Sequence, residues 1–243
     1  MRCLALETTT DISSIALADE SGLIAEYNFA HRMDLSRRLM PNVMALLADS
    51  GMEMKDVQAI GVSIGPGSFT GLRIGVVTAK TLAQTLNVPI AGIVTLDLLA
   101  HQLDFLPGAI ICPLIKVRKG EVYFAFYRAN PGGMERLSDY SSGPIREVIR
   151  WLTSPNPKSE IQNPKSQVFF LGDALSAGFP TLSDALGKRA VPAPDWLSYP
   201  KASILARLAL EKIASGEADD PISLLPFYIR KSAPEQRMEM SEG

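Results

Sequence analysis

The feature that most constrains the fold is an order of predicted strands and helices that occurs twice along the chain. Hydrophobic periodicity in the first half predicts three successive strands, then a helix, a strand, a helix, a strand and a helix. The second half repeats this order with little sequence identity. Such a repeat indicates a duplicated α/β domain. We therefore predict subdomains at residues 1–106 and 107–230, followed by a flexible tail at 231–243.

The composition is that of a globular protein without a general affinity for nucleic acid. The chain has 243 residues, of which 47% are hydrophobic and 21% charged, which is enough for one large or two small cores. The net charge is −2 and the sequence pI about 5.8. These values argue against binding nucleic acid alone through a basic surface, but they allow membership of a complex whose partner supplies that surface.

Cysteine usage and hydropathy predict a cytoplasmic location. Cys3 and Cys112 each lie in an apolar run, as buried thiols in a reducing compartment do. The start "MRCLALETTT" is too short and too soon polar for a signal peptide. No apolar run approaches the roughly 20 residues that a membrane span requires, so we expect no membrane association.

A polar insertion at 154–167 interrupts the repeated order between a helix and a strand. It contains Asn-Pro-Lys-Ser twice, and Ile161 is the apolar residue of its central stretch. A segment of this composition has too little apolar surface to form a packed element. We favour a tolerated surface insertion, and a functional basic loop is the alternative.

The stretch "SIGPGSFTGLRIG", Ser63 to Gly75, has the shape of a phosphate-binding loop but not its signature. A Walker loop needs Gly-Lys-Ser/Thr, and no lysine follows here until Lys80. A dinucleotide fingerprint needs G-x-G-x-x-G, and the glycines here are one residue out of step. The alternative is a strand-to-helix turn in which Ser68 or Thr70 caps the helix, although its free N–H groups could still hold an anion.

Four motifs give the chain a resemblance to the TsaB (YeaZ) family. They are "LALETTT" at the start, "GPGSFTGLRIG", "KGEVYFAFY" and "PFYIR", and the resemblance runs from Met1 to about Arg230. It implies an α/β fold of the actin-like, Hsp70-like (ASKHA) class, built from two duplicated ribonuclease H-like domains. It also implies an accessory, non-catalytic role in threonylcarbamoyladenosine synthesis on tRNA.

The resemblance also indicates where nucleotide chemistry would lie, and all three turns are degenerate. Relatives with this fold hold ATP between the two halves with carboxylate-bearing turns that usually contain a glycine. The first turn has hydroxyls but no glycine, the second has a lysine in the place of an aspartate, and the third has one glycine fewer than a good site. The residues of these turns are Thr8, Thr9 and Thr10, Lys116 and Arg118, and Gly172. We expect no intrinsic cofactor, and we interpret the acids Glu7, Asp11 and Asp173 as turn-capping or solvated groups.

Histidine spacing predicts no metal site and no catalytic residue. His31 and His101 are seventy residues apart, and neither has a second ligand type at helical spacing. The catalytic sister subunit that the resemblance implies, TsaD, carries two histidines four apart on a helix. At the start of the first helix, where related chains often have His-Ser/Thr-Glu/Gln, this sequence has Leu35-Ser36-Arg37. A peptidase or a Ser-His-Asp enzyme therefore finds no support.

The first two predicted helices each carry a second row of residues beside the core row. These rows either widen the buried arc or form a contact surface, and periodicity alone does not decide between the two. The resemblance favours a surface for a sister subunit or a second copy, with two glycines that let the partner approach. The predicted interface residues are Arg37, Met40, Met44, Leu47, Gly71, Arg73, Gly75, Val77, Lys80 and Gln84.

From these features we predict a non-catalytic subunit that binds and activates a TsaD-type catalytic subunit. ATP and a metal are expected on partner subunits, which include a TsaE-type ATPase. We expect a homodimer when the chain is alone, and contact with tRNA only through the complex. The alternatives are a stand-alone actin-fold kinase for a small molecule and, with less support, a peptidase.

Overall fold

Two mixed β-sheets with helices packed on them make up the chain. The computed structural model describes residues 1–31, 34–118, 120–154, 161 and 166–229. The strands are β1 (Cys3–Glu7), β2 (Ile12–Asp19), β3 (Gly22–Ala30), β4 (Ala59–Gly65), β5 (Ile90–Val94), β6 (Ile110–Arg118), β7 (Glu121–Phe124), β8 (Tyr127–Asn130), β9 (Gly133–Arg136), β10 (Ser141–Pro144), β11 (Val168–Leu171) and β12 (Ala190–Pro192). The helices are α1 (Leu35–Asp49), α2 (Phe69–Leu86), α3 (Thr95–Ala100), α4 (Ile145–Thr153), α5 (Leu175–Leu186) and α6 (Ala202–Ala214).

The first sheet has the strand order β3-β2-β1-β4-β5. The three leading strands are antiparallel, and β4 and β5 run parallel to β1. Side chains alternate across the sheet, so Leu4 and Leu6 of β1 join the core beneath α1 and α2, while Cys3 and Ala5 pack against α6. The helices α1 and α2 therefore cover the same face of this sheet.

The second sheet repeats the topology of the first. Its main path is β10-β7-β6-β11-β12, again with antiparallel strands on one side and parallel strands on the other. The segment 121–129 forms two strands, β7 and β8, which pair with β6 on either side of Ala125 and Phe126, and the register shifts between Lys116 and Arg118. The hairpin partner β9 pairs with β8. This duplicated order confirms the predicted actin-like α/β class.

The last helix of the chain returns to the first sheet. The boundary predicted at 106/107 lies between the two sheets, but α6, which we placed in the second subdomain, packs on β1, β2, β4 and β5. Small side chains allow this close approach, because a Cβ built on Gly61 of β4 would be 2.9 Å from the Cβ of Ala209. Residues 219–229, which we call the strap, then run along the first sheet toward the second half.

One expectation about the polar insertion needs correction. Most of 154–167 lies outside the described residues, as does the tail predicted at 231–243. Ile161, however, is buried in the core of the second half, and its carbonyl accepts a hydrogen bond from Arg189 Nη2 at 3.4 Å. The insertion therefore contributes at least one side chain to the core. Across the described ranges, no helix combines the length and the apolar character needed to cross a membrane.

Candidate functional site

The turn between β1 and β2, where a first phosphate turn would lie, uses its own hydroxyls internally. Thr8, Thr9 and Thr10 are all buried. Thr8 Oγ1 donates to the carbonyl of Gly71 at 2.8 Å, and Thr10 Oγ1 donates to the carbonyl of Ile12 at 2.9 Å. Thr9 Oγ1 donates to Glu7 Oε1 at 2.5 Å. The hydroxyls that could have faced a phosphate are thus bonded to the protein.

The glycine-rich loop packs against this turn. Ser68 caps α2 by accepting the amide hydrogen of Gly71 at 3.3 Å, as one of the two predicted caps, and its own amide donates to the carbonyl of Thr9 at 2.7 Å. A Cβ built on Gly71 would be 2.1 Å from the Thr8 carbonyl oxygen, and one on Gly75 would be 2.1 Å from Thr8 Oγ1. The prediction that these glycines admit a partner is therefore wrong, because the space beside them is filled by Thr8.

Glu7 ends β1 as a fully buried acid beneath the turn. Its Oε1 accepts hydrogen bonds from the amide of Thr9 at 2.6 Å and from the Thr9 hydroxyl. Burial raises the pKa of Glu7 to about 7, against the opposing effect of the hydrogen bonds from Thr9. This geometry is that of a turn-capping acid, because the Glu7 carboxyl accepts hydrogen bonds from the amide and the hydroxyl of Thr9 within the turn.

The second and third turns are bonded to each other. The amide of Lys116 donates to Asp173 Oδ1 at 2.7 Å, while the Lys116 side chain is exposed. Gly172 approaches β6 so closely that a Cβ there would be 2.2 Å from the Leu114 carbonyl oxygen. Burial raises the pKa of Asp173, and nearby Asp11 raises it further. The side chain of Arg118 lies outside the described residues.

A cavity of about 630 Å³ opens beside these two turns. Lys116 and Glu121 line it from β6 and β7, and Asp173, Ser176 and Thr181 line it from the side of α5. Its lining carries the side chains of Lys116, Glu121 and Asp173, and it has room for a small molecule.

The two histidines lie apart in unrelated surroundings. His31 Nε2 is 2.9 Å from the Thr10 carbonyl oxygen, and His101 Nδ1 is 2.8 Å from the Asp97 carbonyl oxygen. Within the part of the chain that the structure describes, no three His, Cys, Asp or Glu side chains are grouped so that they could hold a metal ion. Cys3 and Cys112 are buried free thiols, in agreement with the prediction.

The predicted interface row on α1 divides between core and surface. Met44 is 50% exposed, whereas Leu47 is 1% exposed and belongs to the first core. The assignment of Leu47 to a partner surface is therefore wrong, because the buried arc of α1 is wide enough to include it beside Val43 and Leu46. Met40 is partly buried and packs against the same core. Arg37 is exposed in the first turn of the helix.

On α2 the predicted row is mostly exposed. Val77 is 62% exposed, and Arg73 and Gln84 are also exposed. Lys80 is half-buried because its Nζ donates to the carbonyls of Ile222 at 3.0 Å and Leu224 at 2.8 Å in the strap. We give the name partner face to six exposed side chains of the two helices, Arg37, Met44, Phe69, Arg73, Val77 and Gln84.

Sequence reasoning missed the aromatic end of this face. Phe69 is half exposed, and the Arg73 guanidinium stacks on its ring at 3.9 Å. Tyr228 of the strap lies beside it, with ring centroids 6.1 Å apart. Ile222 and Leu225 are also largely exposed. The available signal was the apolar run "PISLLPFYI" after the last helix, which has no helical period.

The duplicated fold defines a protein of the actin-like class. In the described part of its turns, the first-turn hydroxyls and the Asp173 carboxylate are hydrogen-bonded to other groups of the same chain. A family model described as "TsaD: tRNA N6-adenosine threonylcarbamoyltransferase" matches residues 30–237. The chain belongs to the TsaB family of tRNA threonylcarbamoyladenosine biosynthesis proteins, as the next comparisons show.

The Bacillus subtilis relative matches nearly the whole chain, and the Escherichia coli relative matches about half of it. The TsaB protein of Bacillus subtilis is 34% identical over 237 residues, which are 98% of this chain and 97% of that protein. The TsaB protein of Escherichia coli is 36% identical over 135 residues, 55% of this chain and 58% of that protein. The crystal structure of YeaZ from Pseudomonas aeruginosa superposes with a TM-score of 0.75 at 27% identity, covering 94% of this chain and 99% of that one.

Proposed function

We propose that the chain is the non-catalytic subunit of a threonylcarbamoyladenosine synthesis complex, in which it binds a TsaD-type catalytic subunit and keeps it active. In this proposal the sister subunit transfers the threonylcarbamoyl group to N6 of the adenosine just 3′ of the anticodon. The metal and ATP belong to the partners, which include a TsaE-type ATPase. The chain works in the cytoplasm and meets tRNA only within the complex.

The observation that carries the proposal is the pair of exposed apolar side chains on adjacent helices. Met44 and Val77 are 50% and 62% exposed, although each helix already buries a complete apolar row against the first sheet. Exposed methionine and aromatic side chains beside an arginine are typical of protein contact surfaces. The same face would serve for the homodimer of the free chain, because two copies could bury it against each other.

The internal hydrogen bonds of these turns support a non-catalytic subunit rather than a catalytic one. Phosphoryl transfer needs backbone donors and a metal-holding acid that face the phosphates. Here the hydroxyls of the first turn bond inward, and Asp173 accepts from the Lys116 amide. No observation favours the stand-alone kinase, and hydrolysis of ATP by the isolated chain is the measurement that separates the two functions.

The binding test is Met44→Asp, measured by calorimetry against the TsaD-type subunit. A carboxylate placed in an apolar contact loses its hydration, so we expect the affinity to fall by about 2 kcal/mol or more, roughly 30-fold in Kd. The matched control is Leu23→Asp, because Leu23 is 54% exposed on β3, at the far edge of the first sheet. Equal binding by wild type and both variants would contradict the proposed face.

A further inference from the structure

A single carboxylate joins the two halves of the molecule. Asp97 lies in the first turn of α3, which follows the last strand of the first sheet. Its Oδ1 accepts a hydrogen bond from Tyr127 Oη and its Oδ2 accepts one from Tyr140 Oη, both at 2.7 Å. Tyr127 belongs to β8 and Tyr140 precedes β10, so both donors come from the second half.

These two hydroxyls remain protonated over the whole physiological range. Burial, and then the Asp97 carboxylate, raise the pKa of both Tyr127 and Tyr140 above the ordinary value of a tyrosine. Hydrogen bonds to an ionised acceptor are stronger than those between neutral groups. The junction at Asp97 is therefore held by two hydrogen bonds whose tyrosine donors keep their protons near neutral pH.

The strap begins with several anchors in the first half. Asp219 accepts from the amide of Gly92 at 2.7 Å and pairs with Lys212 Nζ at 2.7 Å, and its own amide donates to the carbonyl of Ile90. Leu224 is buried in the first core, and Lys80 of α2 donates to its carbonyl. The first part of the strap is thus fixed to β5 and α2.

The end of the strap reaches the second half at Tyr140. The amide of Phe227 donates to the carbonyl of Ile64 in β4 at 2.7 Å, which holds this residue to the first sheet. Its ring packs on the ring of Tyr140 at 5.2 Å and 66°, and the Arg136 guanidinium lies 4.0 Å from the Tyr140 ring centroid. Tyr140, which donates to Asp97, is therefore also in contact with Phe227, which is hydrogen-bonded to the first sheet.

We propose that the strap and the Asp97–Tyr127–Tyr140 cluster form a brace that fixes the angle between the two halves. Two-lobed folds with a central cleft commonly change this angle through a few hinge residues. Here the Asp97 bond and the Phe227 ring contact meet at Tyr140, in addition to the apolar packing of α3 against the second sheet, so hinge motion must break them as well. Because the strap also holds α2 through Lys80, the brace keeps the partner face in one position relative to the second half.

The test measures the angle in the free chain and needs no partner, so it stands apart from the proposed function. Spin labels are placed at Ala45→Cys on α1 and Ala185→Cys on α5, two exposed helical positions in different halves. The native cysteines are buried and need no replacement. Pulsed electron resonance then gives the distribution of distances between the labels. The brace predicts one narrow distribution for the otherwise unchanged chain.

Three substitutions separate the brace from ordinary packing. Phe227→Ala should broaden the distribution at least about twofold, because it removes the strap's ring contact with Tyr140. Tyr140→Phe keeps the ring but removes the bond to Asp97, and should broaden it less. Tyr228→Ala is the control, since it removes an exposed ring of the same strap that contacts Phe69 rather than Tyr140.

The outcome is decisive even if the larger substitution harms folding. Circular dichroism identifies an unfolded variant, and the conservative Tyr140→Phe then carries the test together with Asp97→Asn. Broadening in the Tyr140 or Phe227 variant, with an unchanged Tyr228→Ala, supports the brace. Distributions of unchanged width in the folded Phe227→Ala and Tyr140→Phe variants, or equal broadening in Tyr228→Ala, would overturn it.

Discussion

The hydroxyl of Thr8 occupies the space that a side chain at position 75 would need. A Cβ on Gly75 would be 2.1 Å from Thr8 Oγ1, and the same hydroxyl donates to the carbonyl of Gly71 one turn earlier on α2. The turn after β1 and the start of α2 thus fit together as two parts of one packed unit. The glycines of the loop are required by the chain itself, whether or not a partner binds.

Gly75→Ala should therefore destabilise the isolated chain by about 2 kcal/mol or more, through overpacking against Thr8. At an unhindered helical position the same change would stabilise, because alanine has the higher helix propensity. Urea denaturation measures the difference, and Gly132→Ala is the control, since a Cβ there meets nothing within 4 Å. Combining the change with Thr8→Ala should recover part of the loss, and a stable single variant would contradict this packing.

Truncation of Leu47 and Met44 should separate core from surface on α1. Leu47→Ala should cost about 2–5 kcal/mol, because it leaves a cavity in the first core. Met44→Ala should change stability by no more than about 0.5 kcal/mol, because this side chain is half exposed. Thermal unfolding of both variants measures the contrast. A costly Met44→Ala would show that this row is part of the core.

The stability of the chain should fall as pH rises from about 4.5 to about 7, through Glu7. In the unfolded chain the pKa of this carboxyl is its ordinary value of 4.5, whereas in the folded chain burial raises the pKa to about 7. The unfolded state therefore binds fewer protons in this window, and rising pH favours unfolding by about 3 kcal/mol in total. Above the folded pKa this contribution is constant.

Glu7→Gln isolates this effect, because glutamine keeps an acceptor for Thr9 but does not ionise. The variant should lose most of the fall in stability across the window and should be the more stable protein at pH 8. Denaturation midpoints at several pH values measure both. Parallel pH profiles for the variant and the unchanged chain would show that Glu7 does not titrate in this range.

Ile161→Ala should destabilise the second half by about 2–5 kcal/mol, although the residue lies in a polar insertion. The side chain is 3% exposed and belongs to the second core. The matched control is Ile222→Ala, because Ile222 is 75% exposed and should tolerate truncation. Equal melting temperatures for both variants would mean that the insertion contributes nothing to packing.

The isolated chain should hydrolyse no ATP above the buffer rate. The hydroxyls of its first turn are bonded internally, and Asp11 and Asp173 lie close enough for Asp11 to raise the pKa of Asp173. A steady-state phosphate-release assay measures this, with Asp11→Asn as the companion variant. Turnover that disappears in Asp11→Asn would support the kinase alternative instead.

Local sequence signals predicted the helices and strands well, because helix periodicity and capping depend on residues close together in the sequence. The apolar period of α1 and the Ser68 cap of α2 follow from residues within one or two turns. The duplicated order of elements also gave the fold class. The break between β7 and β8 at Ala125 and Phe126 depends on packing that the hydrophobic period does not encode.

The candidate site was harder to predict, because its contacts join distant parts of the chain. Nothing near Gly75 in the sequence identifies Thr8 as its neighbour. The sequence therefore could not show whether the missing side chain at this position makes room for Thr8 or for a partner. The width of the buried arc on α1, which includes Leu47, depends on where the helix lies on the sheet. The strap has no periodic signal, and its role emerges only from its contacts with β4, β5, α2 and Tyr140.

The return of α6 to the first sheet sets an order of events during synthesis on the ribosome. One face of that sheet, with Cys3, Ala5 and Ala16, is covered by a helix that ends at Ala214. The first five strands can pair long before then, but this face stays open until α6 has emerged. A nascent chain stalled in its second half would thus expose an apolar sheet face to chaperones and to other nascent chains.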